Sequence, residues 1–490
     1  MPTARTLVTR CILLAAAVAL AASAVAQSPN LATTYKPAAD RLITASLADT
    51  EGYANLAYLC DHIGKRVSGS ESLLRAIAWG ADTMRKDGLS NVRVQPVMVP
   101  HWVRGQESAS VVTPVAKPFH MLGLGMSVGT RAGGITAPVV VVSDFAAMKK
   151  LGRSGVAGKI VVFNAPYEGY GRTVMYRTAG PSQAAALGAV AVLVRAITPL
   201  AVQLPHTGTT IYDPAQPKIP AAAISLEDAM LLARLQAEGG EVKVHLEMQA
   251  HMEPEVEAGN VMGDLVGTEH PEQVVVIGGH IDSWDVGQGA QDDGSGIMAA
   301  LEAVNIIERS GLRPKRTIRI VFWVNEENGG AGGRAYLKLV AGDLANQVAA
   351  IEMDGGAEAP VGYGYGVGAV PRRAVPGGPA TPAEPVLNEA QQTSLHMLEE
   401  IGSLLKPIGA DTIRLGGGGS DISPIMAEGV PGLGETTTAA HYFDWHHTEA
   451  DTLDKVDPVE FRKNIASLAV MTYVLADMPG RLAGQKGAGE

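Results

Sequence analysis

QVVVIGGHID, residues 273–282, is the first of three apolar runs that each end in polar or charged residues. TIRIVFWVNEE (317–327) and QVAAIEMDGG (347–356) are the other two, and residues 294–311 and 332–347 carry apolar side chains at the helical period. Uninterrupted apolar strands alternating with helices predict an α/β fold with a mostly parallel mixed sheet flanked by helices. Sites in such folds lie beyond the carboxyl ends of the strands, so the polar residues that end these runs are the first candidates.

The same domain extends to both sides of this stretch. Residues 46–88 carry apolar side chains at helical spacing and predict two helices, and residues 92–112 alternate as strands do. Residues 458–478 predict a closing helix. We therefore assign residues 27–112 and 252–480 to one main domain.

Two other parts of the main domain carry no periodic pattern. Residues 361–385 are rich in Gly and Pro and predict a long surface loop near the site. The tail after Gly480 is expected to be disordered.

Residues 113–251 have a different texture, with short Val, Ile and Ala-rich runs separated by Gly and Pro. Examples are APVVVVSDF (137–145) and KIPAAAIS (218–225). The pattern predicts a β-rich module inserted into the main domain. Few acids lie near its histidines, so the chemistry is not expected here, and His206 is interpreted as a loop histidine that caps backbone groups.

The first 26 residues have the form of an export signal. Arg5 and Arg10 precede an apolar run at residues 11–22, and residues 24–26 (AVA) supply a cleavage site. An uncleaved anchor helix is the alternative, but the run is short for a bilayer span of about 20 residues. No later apolar stretch is long enough, so we expect a secreted or periplasmic protein with no integral membrane segment after cleavage.

Charge and cysteine content exclude some partners and cross-links. The formal net charge is −11, and loss of Arg5 and Arg10 leaves 37 basic against 50 acidic residues, or −13. This acidity disfavours a nucleic-acid partner. Cys11 lies in the signal and leaves Cys60 alone, so no intrachain disulfide is expected in the mature chain.

The residues at the end of the first run suggest two kinds of role. His280 and Asp282 are two apart, so their side chains leave the same face of a strand, and Asp282 can hold the distal imidazole nitrogen. Asp292 and Asp293 come just before a helix, where one carboxylate can cap the free amides. Two adjacent acids cannot share one cap position, so one of them is left for another role.

The other two runs and a late loop add further candidates. Glu326 and Glu327 are neighbours at a strand end and point to opposite sides, so one can coordinate a metal while the other takes a proton from water. Asp354 follows the third run, and the late loop offers His446 and His447 as competing ligands.

Each acid or histidine alone is explained by a helix cap, a hydrogen bond or a solvated strand end. Together, His, Asp, Glu, Asp and His at successive strand ends form the mixed nitrogen and oxygen ligand set that zinc accepts. The sequence therefore predicts a metal hydrolase.

With these residues the chain resembles the two-zinc exopeptidases, a family that includes bacterial leucyl aminopeptidases, glutamate carboxypeptidase and carboxypeptidase Q. Of these, its motifs most resemble those of carboxypeptidase Q. The resemblance rests on HIDSWDVGQGAQDDGSG (280–296), NEENGGAGGRAY (325–336), SDI (420–422) and HHTEADT (446–452). It extends to PHTGTTIY (205–212) and PKIPAAAISLEDA (217–229), and covers nearly the whole mature chain.

The resemblance implies two Zn²⁺ per chain, held by five residues: His280, Asp292, Glu327, Asp354 and His447. It implies that Asp292 bridges both ions, with His280 and Asp354 completing one site and Glu327 and His447 the other. It also implies a cis peptide between Asp292 and Asp293. The inserted module resembles a protease-associated domain, which would roof the cleft.

The implied function is hydrolysis of dipeptides or short peptides by a metal-bridging hydroxide, with Glu326 as general base. A homodimer is implied as well. Tyr442 is a candidate oxyanion donor, and four arginines are candidates for binding a substrate carboxylate: Arg334, Arg372, Arg373 and Arg414. The alternatives are an aminopeptidase with broader peptide substrates, a one-zinc enzyme similar to glutaminyl cyclase, and an inactive binding protein.

Overall fold

The computed structural model describes residues 30–367 and 386–485. The export signal predicted at residues 1–26, together with Arg372 and Arg373, lies outside the described residues. No helix within the two described ranges is both long and apolar enough to cross a bilayer.

The strands of the described residues are numbered in chain order. They are β1 (Ser90–Val103), β2 (Glu107–Thr113), β3 (Lys117–Pro118), β4 (Met121–Gly123), β5 (Ile135–Val142), β6 (Ile160–Phe163), β7 (Ala191–Arg195), β8 (Ala221–Ile224), β9 (Lys243–Met248), β10 (His251–Leu265), β11 (His270–His280), β12 (Arg316–Trp323), β13 (Gln347–Glu352), β14 (Pro360–Tyr365), β15 (Thr412–Leu415) and β16 (Gly432–Thr437).

Two eight-stranded mixed sheets are formed from these strands. The first has the order β1-β10-β12-β11-β13-β16-β14-β15, and its central strands β12, β11, β13 and β16 run parallel to one another. The second has the order β3-β2-β9-β5-β6-β7-β8-β4, with β5, β6, β7 and β8 parallel. The predicted α/β class is therefore confirmed, as two mixed sheets flanked by helices.

The helices of the described residues lie between and around these strands. Their bounds are Leu31–Leu47, Glu51–Tyr58, Glu71–Lys86, Phe145–Val156, Tyr170–Thr173, Met175–Thr178, Gly180–Ala186, Leu226–Ala237, Ser295–Arg309, Ala331–Val340, Glu389–Ser403, Ser423–Ala427, Tyr442–Trp445 and Pro458–Asp477.

Helices cover both faces of the first sheet. Val275 and Ile277 of β11 point into the core shared with helices Ser295–Arg309 and Pro458–Asp477, while Val274 and Val276 face the core shared with helix Ala331–Val340. Alternate residues of a strand point to opposite faces, so an unbroken apolar run is what a doubly covered strand requires. Parallel pairing of β11 with β12 and β13 brings the carboxyl ends of these three strands to one edge of the sheet.

The two helices predicted within residues 46–88 are confirmed as Glu51–Tyr58 and Glu71–Lys86, and helix Leu31–Leu47 precedes them. Three other expectations from the sequence are wrong in part. The tail after Gly480, expected to be disordered, is packed in its described residues 481–485, where Leu482 and Ala483 are buried. Residues 361–365 belong to strand β14, not to a surface loop, because Tyr363 and Tyr365 alternate into the core. The segment 113–251 also contains helices and is α/β.

The module boundary drawn at residue 113 is not where the second sheet begins. Strand β2, Glu107–Thr113, pairs with β3 and β9 and so belongs to the second sheet. The short polar linker after β1, at residues 104–106, is the point where the chain passes from one sheet to the other.

Candidate metal centre

His280 is the last residue of β11 and is fully buried. Its Nδ1 lies 2.9 Å from the main-chain oxygen of Asp282, which orients the ring. The Asp282 carboxylate, expected to do this, lies farther from the ring, with Oδ1 3.9 Å from Nδ1, and accepts from the amides of Glu326, at 3.1 Å, and Glu327, at 3.4 Å. Asp282 therefore ties the end of β11 to the turn after β12.

Asp292 and Asp293 have different roles, as expected of two adjacent acids that cannot share one cap position. Asp293 accepts from the amide of Gly296 at the start of the helix, at 3.1 Å, and from the amide of His280, at 3.0 Å. Its carboxylate is the cap, which leaves the side chain of Asp292 free to face the site. The Asp292–Asp293 peptide is cis, as the resemblance implied.

Asp451, from the HHTEADT loop, fixes the backbone of this turn. Its buried carboxylate accepts from the amides of Ala290, at 3.2 Å, Gln291, at 2.7 Å, and Asp292, at 3.2 Å. Sequence reasoning missed this residue. Its position in the HHTEADT motif was the only signal available in the sequence. The amides that it binds lie about 160 residues away in the chain, and only the folded structure brings them together.

Glu326 and Glu327 diverge for a reason other than strand alternation. Strand β12 ends at Trp323, and both glutamates lie in a turn at residues 326–329, after Asn325 at φ 67°. Glu327 turns inward and is 8% exposed, while Glu326 is half-buried.

The five predicted ligands converge as two groups that share Asp292. In one group, the Nε2 atom of His280 lies 3.2 Å from Asp292 Oδ1 and 3.6 Å from Asp354 Oδ1. In the other, the Nε2 atom of His447 lies 3.1 Å from Asp292 Oδ2 and 3.0 Å from Glu327 Oε2. Each carboxylate oxygen of Asp292 thus faces a different histidine.

These separations fit a pair of metal ions. Two ligand atoms that each lie about 2.0–2.1 Å from a tetrahedral zinc stand roughly 3.4 Å apart. The buried Oε1 atom of Glu327 has no hydrogen-bond donor among the described residues, so a cation would satisfy it. Imidazole nitrogens with carboxylate oxygens are a donor set that zinc accepts.

The electrostatics of the group also call for positive charge. Burial raises the pKa of Glu327 to about 8 and that of Asp354 to about 6. Burial alone would lower the pKa of His280 and of His447. The carboxylates beside these two histidines outweigh burial and raise both pKa values well above the usual value. Despite its burial, Asp292 has a pKa well below the usual value because it accepts from both rings. The metal-free site therefore takes up protons in place of cations.

His446 lies close enough to compete with His447. Its Nε2 atom is 3.5 Å from Asp292 Oδ2, and its ring stacks on that of His447 with centroids 3.6 Å apart. Both rings can therefore share a cation with Asp292. The Nε2 atom of His447 additionally reaches Glu327, which favours His447, and its assignment stays a prediction.

The proposed substrate-binding residues fall in different places. Tyr442 is buried, and burial together with the charges of Asp292 and Asp354 raises its pKa well above the usual value. Arg334 and Arg414 are exposed, and Arg334 donates to the carbonyl of Gly329 at 2.7 Å. No contact among the described residues joins either arginine to the metal ligands.

Sequence reasoning also missed the part that the second sheet plays. His206, expected to cap loop backbone, is buried beside His447, where burial lowers its pKa to about 3. The neighbouring Thr207 and Thr209 hydrogen-bond His447 and Glu327. Their only signal in the sequence was that PHTGTTIY belongs to the resemblance.

Comparison with known proteins agrees with this geometry. The model of peptidase family M28 matches residues 260–472. The chain is 40% identical to carboxypeptidase Q of Xenopus laevis over 91% of this chain and 90% of that protein. It is 39% identical to carboxypeptidase Q of Homo sapiens over 88% and 86%.

Solved structures share the fold. A peptidase M28 precursor from Shewanella amazonensis has a TM-score of 0.84 at 30% identity, over 92% of this chain and 98% of that one. A zinc aminopeptidase from Bacillus subtilis has a TM-score of 0.62 at 18% identity, over 88% and 96%. The family predicted from the motifs is confirmed: the chain belongs to peptidase family M28 and is a zinc-dependent exopeptidase homologous to carboxypeptidase Q.

Proposed function

We propose that the chain is a secreted or periplasmic two-zinc exopeptidase that hydrolyses dipeptides or other short peptides. One observation carries the proposal: the carboxylate of Asp292 presents Oδ1 to His280 at 3.2 Å and Oδ2 to His447 at 3.1 Å. A carboxylate that faces two nitrogen ligands through two different oxygens is arranged to bridge a pair of ions.

The ligands would be divided between two positions that share Asp292. His280 and Asp354 would hold one ion, and Glu327 and His447 the other. When bound, such ions polarise the scissile carbonyl and lower the pKa of an attacking water toward neutrality.

In the proposed mechanism, Glu326 is the general base. Three observations support this role: its amide is held by Asp282, its side chain is half-buried rather than enclosed, and its charge is among the causes that raise the pKa of Asp354. The Glu326 carboxylate takes a proton from the attacking water and passes it to the leaving amine.

Tyr442 would assist as an electrophile. Its phenol lies near Asp292 and Asp354 and keeps its proton at neutral pH, so it can donate a hydrogen bond to the oxygen that gains charge.

The similarity to carboxypeptidase Q supports a substrate with a free carboxyl end. Aminopeptidase action is the second candidate, and the fold shared with the zinc aminopeptidase of Bacillus subtilis is its support. A one-zinc cyclase or an inactive binding protein is disfavoured because all five ligand positions and the base position are filled. We further propose that residues 1–26 direct export, that residues 113–251 form a protease-associated domain, and that the enzyme is a homodimer.

A panel of one dipeptide with free ends, a blocked amino end or a blocked carboxyl end tests the substrate proposal. Hydrolysis by the zinc-loaded protein is expected for the free dipeptide and to be lost on blocking the carboxyl end. Cleavage of the carboxyl-blocked form with loss of the amino-blocked form would make the enzyme an aminopeptidase. No cleavage of any member, with zinc bound, would contradict the proposed function.

Glu326→Gln tests the general base. The amide keeps the shape of the side chain but cannot take a proton, so kcat is expected to fall by about 10² to 10⁴. Zinc content measured by elemental analysis should stay at two per chain. Glu428→Gln, at an exposed glutamate that follows helix Ser423–Ala427, is the matched control, and activity of the Glu326 variant equal to that of this control would remove the assignment.

Zinc affinity should depend steeply on pH. Metal ligands must be deprotonated, and the raised pKa values of His280, His447 and Glu327 mean that the metal-free site carries protons near neutrality. Zinc must displace them, so affinity is lost as the pH falls, by about tenfold per pH unit for each proton displaced. Calorimetry in buffers of different ionisation enthalpy counts these protons, and a count of zero at pH 7 would contradict the assigned electrostatics.

A further inference from the structure

We propose that residues 207–209, which belong to the second-sheet part of the chain, position the Glu327 and His447 half of the metal centre. Zinc affinity in that half would then depend on a segment that supplies no ligand. The inference rests on the proposed two-zinc function and adds positioning residues to it.

The first contact is with His447. The amide of Thr207 donates to the main-chain oxygen of His447 at 3.0 Å, and the main-chain oxygen of Thr207 lies 3.3 Å from His447 Nδ1. The Nη1 atom of Arg177 also lies 3.3 Å from Nδ1, but it lies closer, at 2.9 Å, to the carbonyl oxygen of Thr207, to which it donates. With Nδ1–H directed at the same carbonyl, Nε2 is left with its lone pair toward Asp292 and Glu327. Such a bond to the distal nitrogen sets the tautomer and the orientation of a metal-binding imidazole.

The second contact is with Glu327. The hydroxyl of Thr209 donates to the main-chain oxygen of Glu327 at 2.7 Å. On the other side of the same residue, the amide of Glu327 donates to the carboxylate of Asp282. The backbone of Glu327 is therefore held at both of its polar groups. Asp282, from the part of the chain that forms the first sheet, binds the amide, and Thr209, from the part that forms the second sheet, binds the carbonyl.

The segment itself is firmly placed. Arg177 is buried and donates to the carbonyl of Thr207 at 2.9 Å, and the Thr207 hydroxyl donates to the carbonyl of Gly123 at 2.7 Å. Gly208 adopts φ 128°, and a Cβ atom there would overlap the Arg177 guanidinium. Only glycine lets the arginine lie against this turn, so the segment is a rigid support.

The other half of the centre is supported differently. The Nδ1 atom of His280 pairs with the main-chain oxygen of Asp282, a residue of the first-sheet part of the chain. Loss of the contacts made by residues 207–209 should therefore weaken one zinc and spare the other. A general loss of stability would not produce that asymmetry.

The experiment is a two-step zinc titration of the metal-free full-length protein by competition with a chelator. Thr209→Val removes the hydroxyl at nearly constant shape, and Thr209→Ser restores it. Thr210→Val is the matched control, because Thr210 is the next residue, is buried where Thr209 is half-buried, and its hydroxyl has no partner among the described residues. Thr209→Ala repeats the deletion without a branched side chain, so that the test survives if valine prevents folding.

Thr209→Val is expected to weaken one of the two zinc affinities by about tenfold and to leave the other within about twofold. Thr209→Ser and Thr210→Val should bind both ions as the unmodified protein does. Equal affinities in Thr209→Val and the unmodified protein, or equal weakening in Thr210→Val, would overturn the inference. An unmodified protein that binds fewer than two zinc ions would instead contradict the proposed function.

Discussion

The position of the Asp292 carboxylate is the constraint around which the rest of the site is arranged. It has to stand between His280 and His447 with one oxygen toward each. A flexible aspartate would lose conformational freedom on binding metal, so the surrounding structure fixes it beforehand. Hydrogen bonds from three backbone amides to the Asp451 carboxylate hold the backbone of the turn. The neighbouring Asp293 caps the helix, which leaves Asp292 free for the metal site.

Buried carboxylates are costly unless opposite charge is present, and this site gathers several in one place. The metal-free arrangement relieves the repulsion with protons, as the raised pKa of Glu327, about 8, and of Asp354, about 6, indicates. Divalent cations relieve it more fully. The need for cations and the chemistry of hydrolysis thus have the same origin, and binding metal should stabilise the folded chain.

Much of this could be predicted from the sequence, and the remainder has identifiable physical reasons. Apolar runs ending in acids were enough to bring His280, Glu327 and Asp354 to one edge, because parallel strands share their carboxyl ends. The hydrogen-bond partners of these site residues could not be predicted from the sequence. The carboxylate of Asp282 bonds the amides of Glu326 and Glu327 because a turn, rather than strand alternation, carries both glutamates. Thr209 meets Glu327 across 118 residues of chain, and no local pattern reports such a contact.

The most direct test of the account is the metal content of Asp292→Ala. Elemental analysis of the purified variant, loaded with zinc and dialysed, should find fewer than one ion per chain, since both positions lose the shared carboxylate. Asp343→Ala, an exposed acid that precedes the amino end of β13 whereas Asp354 follows its carboxyl end, should keep two. Two zinc ions in Asp292→Ala would contradict the bridge and with it the central claim.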